Sequence, residues 1–91
     1  MLKDKVVVVT GGAGLIGQEF VRAIIEQNGI AIIADINKNE GQRVSNELSD
    51  KLKSNKIDFF ELDITSKKSL QECISYLDNK YGRIDALVNN A

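Results

Sequence analysis

The sequence contains no histidine, no proline and no tryptophan, and only one cysteine, Cys73. Without histidine, neither a Ser-His-Asp nor a Cys-His arrangement can be assembled, and every histidine-based metal site is excluded. A lone cysteine forms no intrachain disulfide, and its place in a helical pattern reads as a small apolar group rather than a reactive thiol. The lack of proline fits closely spaced regular elements. Charge is nearly balanced: 12 Lys and Arg stand against 13 Asp and Glu, a net charge of -1. No electrostatic footprint for nucleic acid or an anionic membrane follows from that. No apolar run approaches the roughly 20 residues that span a bilayer. The first residues, Met1 to Lys5, lead directly into a strand pattern without a signal-peptide core, so the cytoplasm is the default compartment. The 91 residues suit one domain, 1–91, with a modest core.

What the chain does have is a glycine-rich turn around which the rest is ordered. Val6 to Val9 lead into Thr10-Gly11-Gly12-Ala13-Gly14-Leu15-Ile16-Gly17, and an amphipathic segment leads out. Strand, glycine turn and helix in succession give Gly12-x-Gly14-x-x-Gly17 the context of a dinucleotide-binding fingerprint. One glycine allows the tight turn, another lets backbone amides approach a pyrophosphate, and the last lets helix and strand pack closely. The free N–H groups and positive dipole end of the helix would face the phosphates. The plainer alternative is a simple strand-to-helix turn.

The remaining elements follow at short intervals. Lys5–Thr10 reads as a strand buried on both faces, and Leu15 to about Asn28 as a helix. Ile16, Phe20, Ala23, Ile24 and Gln27 fall at helical spacing there, and Gly29 is placed to take a left-handed stop. Ile30–Asp35 is a second strand. Asn37 to Leu52 is a helix with a Val44, Leu48, Leu52 stripe. Ile57–Leu62 carries Asp58 and Glu61 and suits a strand near the sheet edge. A helix capped by Thr65 or Ser66 runs to Tyr81 with Leu70, Ile74, Leu77 and Tyr81 on its apolar face, and Gly82 stops it. Ile84–Val88 is the fourth strand, followed by Asn89-Asn90-Ala91. This βαβαβαβ order predicts an α/β fold with a parallel sheet in the order 3-2-1-4. The crevice between the first and fourth strands receives both the glycine turn and Asn89-Asn90-Ala91.

Two acidic residues close strands on that same edge. Asp35 lies at the position where a carboxylate accepts hydrogen bonds from the adenine ribose. It would repel a 2′-phosphate, and no Arg or Lys follows directly, which favours NAD over NADP; Lys38 is the nearest cation. The alternative is a solvated strand-end residue. Asp63 either accepts from the adenine amino group or simply turns the chain into the capped helix.

Together these stretches resemble the short-chain dehydrogenase/reductase family over the whole chain. The more specific ones are Lys80-Tyr81-Gly82-Arg83-Ile84-Asp85 and Asn89-Asn90-Ala91, which a generic Rossmann domain has no reason to carry. The resemblance implies a Rossmann-type fold, a nicotinamide cofactor and alcohol–carbonyl redox chemistry on a small-molecule substrate. By family pattern, the backbone of Gly11, Gly12, Ala13, Gly14, Leu15, Ile16 and Gly17 would hold the pyrophosphate, and Asp35 with Ile36 the ribose side. Asp63 and Ile64 would contact the adenine. Asn90 and Ala91 would lie by the adenine-side ribose, and the Asn side chains would stitch neighbouring strands together.

The chain departs from the family pattern twice. Its glycine spacing at 11, 14 and 17 matches extended family members, whereas Asn-Asn-Ala is typical of compact ones. Such hybrids resemble oxidoreductases of bacterial surface-sugar or flagellin-modification pathways. The family's catalytic Ser and Tyr-x-x-x-Lys follow well after Asn-Asn-Ala and are not among these residues, so this chain alone is expected to bind cofactor without turnover. Tyr76-Leu77-Asp78-Asn79-Lys80 does have that spacing. It precedes the fourth strand, however, and reads as surface and packing. Without a fifth strand the apolar fourth strand is an edge, so self-association or a partner strand is expected there. Two rival readings remain: a non-catalytic NAD- or ADP-ribose-binding module, and another nucleotide-cofactor domain such as a methyltransferase using S-adenosylmethionine.

Overall fold

A computed structural model describes residues 2–90. Seven elements alternate: β1 (Val6–Thr10), α1 (Leu15–Glu26), β2 (Ile30–Asp35), α2 (Lys38–Leu52), β3 (Ile57–Glu61), α3 (Lys67–Tyr81) and β4 (Ala86–Asn89). The strands form one parallel sheet in the order β3-β2-β1-β4, as the alternation predicts. Side chains alternate across each strand, so the two faces have separate cores. Val7, Val9, Ala31 and Ile33 face α1 and α2, meeting Val21, Ile24, Val44 and Leu48. Val6, Val8, Ile32 and Ala34 face α3 and meet Cys73 and Leu77. β1 and β2 are buried on both sides, which is why their sequences are continuous aliphatic runs. No helix among the described residues is long and apolar enough to cross a membrane.

Several local readings are corrected. The buried face of α1 is Gly17, Val21 and Ile24; Ile16, Phe20, Ala23 and Gln27 are exposed. Gly17 sets this rotation, because its Cα packs against the turn so closely that an added Cβ would lie 2.7 Å from the Gly12 Cα. α1 ends at Glu26, and Asn28 rather than Gly29 takes the left-handed conformation, with φ 66°. Gly29 is instead a packing glycine, since a Cβ there would sit 2.8 Å from Ile24 Cγ2. α3 buries Cys73 and Leu77 and half-buries Tyr81, while Leu70 and Ile74 are exposed. The fourth strand starts at Ala86, two residues later than predicted. Asp85 is occupied with β1: its N–H donates to the Val6 carbonyl at 2.9 Å and its Oδ2 accepts the Val6 N–H at 2.8 Å. Arg83 holds the same carboxylate with two bonds of 2.8 and 2.7 Å.

The helix ends follow ordinary capping chemistry. Asn37 caps α2 by accepting the Glu40 N–H at 3.0 Å, and Ser66 caps α3 by accepting the Ser69 N–H at 3.1 Å. α1 has no side-chain cap; its N-cap is Gly14. That exception leads to the site.

Candidate functional site

β1 delivers the chain to the carboxyl edge of the sheet, where Gly11 reverses it with φ 65°, a left-handed conformation that favours glycine. The Gly11 N–H donates to the Ala34 carbonyl at 2.8 Å, fastening the turn to β2. α1 then starts at Leu15. The N–H groups of Leu15, Ile16 and Gly17 have no acceptor within their own helix, because the first bond of α1 runs from Gln18 to Gly14 at 2.9 Å. With no side-chain cap, these donors and the positive end of the helix dipole are available to an anion. The protein itself does not require a glycine at position 14. Its φ is -75°, and an added Cβ would make only an ordinary contact, 3.4 Å from the Gly11 carbonyl oxygen.

Asp35, at the end of β2, stands beside this turn. Its Oδ2 accepts the Ala13 N–H at 3.2 Å and its Oδ1 the Asn37 N–H at 3.0 Å. A carboxylate has about four acceptor sites, so two bonds leave room for hydroxyl donors. Asp35 as a residue is half-buried, and both its carboxylate oxygens accept backbone N–H groups.

Next to Asp35 lies a cavity of about 200 Å³ whose lining includes Asp35 and Ile36 from the end of β2, Asp63 and Ile64 from just past the end of β3, and Thr10 and Gly11 from the turn. Pockets for drug-sized ligands run from about 300 Å³ upwards, so this one suits one part of a dinucleotide rather than the whole. Ile36 and Ile64 are exposed, at 65% and 44%, and offer apolar surface at the pocket.

Asp63 also performs the turn role. Its Oδ1 accepts both the Thr65 hydroxyl at 2.6 Å and the Thr65 N–H at 2.9 Å. These bonds hold the carboxyl below the usual carboxylate range. Its Oδ2 makes no hydrogen bond among the described residues and remains available at the pocket.

The end of β4 is joined to β1 through Thr10. The Thr10 hydroxyl accepts the Asn90 N–H at 3.0 Å and lies 3.2 Å from both the Val88 carbonyl and Asn89 Oδ1. Asn90 Nδ2 reaches the Gly11 carbonyl at 3.5 Å. The two asparagines therefore do tie the strands together. Ala91 lies outside the described residues. Sequence reasoning treats Thr10 only as the lead-in to the turn. The available signal is a hydroxyl at the end of a valine run, in a strand buried on both faces, where it must find a partner.

The Tyr76/Lys80 pair lies elsewhere. Tyr76 and Tyr81 hydroxyls and Lys80 Nζ all converge on Asp58 Oδ2, at 2.8, 3.1 and 2.9 Å. Lys80 is also 3.2 Å from the Tyr76 hydroxyl and 5.6 Å from each ring centroid. The cluster packs on the α3 face near the amino end of β3, away from the glycine turn. Burial and the Asp58 carboxylate push the Tyr76 phenol up, the wrong direction for a proton-transfer role at neutral pH. This is a structural clasp. Burial likewise raises the Cys73 thiol, in keeping with its place in the second core.

A glycine turn at a free helix N-terminus, an acidic β2 end and a crevice beside the central strand define a Rossmann domain of the dinucleotide-binding type. The sequence model of one family, described as short chain dehydrogenase, matches residues 5–91, and the chain belongs to that family. Post-translational flagellin modification protein A of Campylobacter coli is 40% identical over 91 residues, covering 100% of this chain and 35% of that protein. The 3-hydroxyacyl-CoA dehydrogenase type-2 of Drosophila melanogaster is 34% identical, covering 100% of this chain and 34% of its own length. A solved short chain dehydrogenase from Mycobacterium smegmatis superposes with a TM-score of 0.90 at 33% identity, over 99% of this chain and 38% of that one. The chain thus spans roughly a third of the length of the relatives it matches.

Proposed function

We propose that residues 1–91 are the NAD-binding Rossmann unit of a cytoplasmic short-chain oxidoreductase that moves a hydride between the nicotinamide and an alcohol or carbonyl substrate. The observation that carries this reading is the placing of Asp35 between the glycine turn and the pocket, with acceptor capacity to spare. The amides of Leu15, Ile16 and Gly17 hold the pyrophosphate, with Gly14 leaving the approach clear. Asp35 takes the ribose hydroxyls and disfavours a 2′-phosphate by charge repulsion. Ile36 and Ile64 flank the adenine, and Asp63 Oδ2 accepts from its amino group. Asn90, with Ala91, borders the adenine-side ribose. The nicotinamide supplies the hydride chemistry; these residues bind and orient the other half of the cofactor. Among the described residues, Tyr76 and Lys80 are engaged with Asp58 away from the crevice, which supports binding without turnover by these residues alone.

The relative named for post-translational flagellin modification matches the whole chain, and the mixed glycine spacing points the same way. A small-molecule alcohol or carbonyl compound used in that modification is the substrate we assign to the whole protein. The apolar strip on β4 and α3, which includes Leu87 and Ile74, is assigned to self-association or to a partner segment.

Calorimetric titration of the chain with NAD, NADP and S-adenosylmethionine tests the cofactor reading. NAD binds, NADP binds at least about tenfold more weakly, and Asp35→Ala reduces NAD affinity by about 10- to 100-fold, the range for a charged hydrogen-bond acceptor. Preferential binding of S-adenosylmethionine would move the assignment to a methyltransferase-like domain. Steady NADH consumption by these residues alone would refute the non-catalytic part.

A further inference from the structure

Ala13, at the middle of the glycine turn, is 7% exposed, and side chains from two different elements take both its backbone polar groups. Its N–H donates to Asp35 Oδ2 at 3.2 Å. Its carbonyl accepts from Gln18 Nε2 at 2.9 Å, and Gln18 lies on the first turn of α1, reaching back over the helix start. The geometry points to Gln18 as a positioning residue for the pyrophosphate-binding turn, working opposite Asp35. The inference rests on the cofactor reading above and adds a residue to it.

Peptide planarity makes the two bonds informative. A peptide unit is rigid, so holding the Ala13 carbonyl also fixes the direction of the Gly14 N–H on the same plane. That N–H donates to the Gly11 carbonyl at 3.1 Å, closing the turn on itself. Holding the Ala13 N–H fixes the Gly12 carbonyl in the same way. Gly12 and Gly14 flank Ala13, and glycine surrenders more backbone freedom on ordering than any other residue. Two side chains therefore restrain the two peptide planes on either side of Ala13, each of which adjoins a glycine. They do so without using the N–H groups of Leu15, Ile16 or Gly17. Gln18 acts through the Ala13 carbonyl, a buried acceptor for which it is the described partner. The donor is the amide nitrogen, since the amide oxygen has nothing to donate. A turn ordered before the ligand arrives spares binding the cost of ordering it.

The consequence is selective. Loss of the Gln18 bond weakens ligands that carry the pyrophosphate and spares adenosine, which reaches only the pocket beside Asp35. Gln18→Met keeps length and shape and removes the donor; Gln18→Lys keeps a donor. Both variants are titrated with ADP-ribose and with adenosine, and amide exchange at Ala13 and Gly14 is followed without ligand. Gln18→Met weakens ADP-ribose by about 3- to 10-fold, the equivalent of one net hydrogen bond, and changes adenosine by less than about twofold. Exchange at Gly14 quickens in Gln18→Met and returns towards the original rate in Gln18→Lys. Equal losses for the two ligands, unchanged ADP-ribose affinity, or unchanged exchange would each overturn the assignment. If the unaltered chain binds neither ligand, the cofactor reading falls and takes the pyrophosphate role with it, while exchange still decides whether Gln18 orders the turn.

Discussion

The hydroxyl of Thr10 accepts the backbone N–H of Asn90 at 3.0 Å, linking the ends of β1 and β4 across a separation of 80 residues. The same oxygen lies 3.2 Å from the Val88 carbonyl and from Asn89 Oδ1, so its hydrogen is used as well. Thr10 is buried, and valine has its shape without its polarity. Thr10→Val therefore leaves the Asn90 N–H without its partner and costs about 1–3 kcal/mol, measured by urea unfolding. Thr10→Ser keeps the hydroxyl and recovers most of that loss. Equal stability of the valine variant and the original would show that the hydroxyl is dispensable.

Glycines 14 and 17 separate folding from binding. A Cβ at position 17 would meet the Gly11 carbonyl and lie 2.7 Å from the Gly12 Cα, both backbone. Gly17→Ala must push α1 away from the turn, a loss of about 1–3 kcal/mol in thermal or urea unfolding. Gly14→Ala meets only the 3.4 Å contact and stays within about 1 kcal/mol of the original. Its NAD affinity nevertheless falls at least about tenfold if the pyrophosphate passes over that Cα. Normal binding by Gly14→Ala would remove the pyrophosphate from this position.

The Asp58 clasp gives the fold a pH dependence with two limbs. Burial alone would raise Asp58, but bonds from Lys80, Tyr76, the Phe59 amide and Tyr81 outweigh it and hold the carboxyl below the ordinary range. A depressed carboxylate stabilises the fold above its unfolded pKa of about 4, and that contribution is lost as pH falls through the folded value. Burial and the Asp58 charge push the Tyr81 phenol up to about 12. Its contribution is complete below an unfolded pKa of about 10 and disappears as pH rises through the folded value. Lys80 shifts upward as well, chiefly through its bond to Asp58. Asp58→Asn lowers stability by about 1–2 kcal/mol at pH 7, a figure kept small because Lys80 is half exposed. The gap between variant and original narrows towards both pH extremes. Asp63 and Asp85 also sit below the ordinary range and share the acid limb, so the difference between the two proteins is the quantity to follow. A gap independent of pH would rule out the clasp as its source.

Leu87 is 62% exposed and Ile74 56%, and with Leu70 and Ile84 they line one wholly apolar groove between β4 and α3. Light scattering at rising concentration should give an increasing mass for the original chain. Leu87→Lys should remain monomeric, because a charge in the groove disfavours burial of the strip. A monomeric original chain at high concentration would rule out self-association here.

Much of this architecture is legible in the sequence because it rests on local and periodic signals. The aliphatic runs give β1 and β2, the helical crossovers give the strand order, and the turn glycines locate the crevice. Asp35 is found because it ends a strand at a set distance from the turn. Helix orientation is less legible. Ile16 and Phe20 compete with Val21 for the inward face of α1, and the choice is made by Gly17, which packs against Gly11 and Gly12 across the turn, a contact that helical spacing alone does not reveal. α3 carries apolar residues on two adjoining faces, and spacing alone does not say that Cys73 and Leu77 turn inward while Leu70 and Ile74 do not. Gln18 and Asp58 carry no motif at all. Their roles come from what the fold brings within reach, an Ala13 carbonyl in one case and two phenols and an ammonium in the other.

The position of β1 has a kinetic consequence. Its partner on one side, β2, follows after a single helix, but its partner on the other side, β4, is separated from it by most of the chain. During synthesis β1, β2 and β3 can pair while the other edge of β1 stays open. Closing the long loop to β4 carries the largest entropic cost of any strand pairing in the sheet, which slows that step. Until then Val7, Val8 and Val9 present unpaired backbone to whatever strand is nearest, including that of another nascent chain. Among these four strands, the crevice thus lies at the pairing with the highest loop-closure cost.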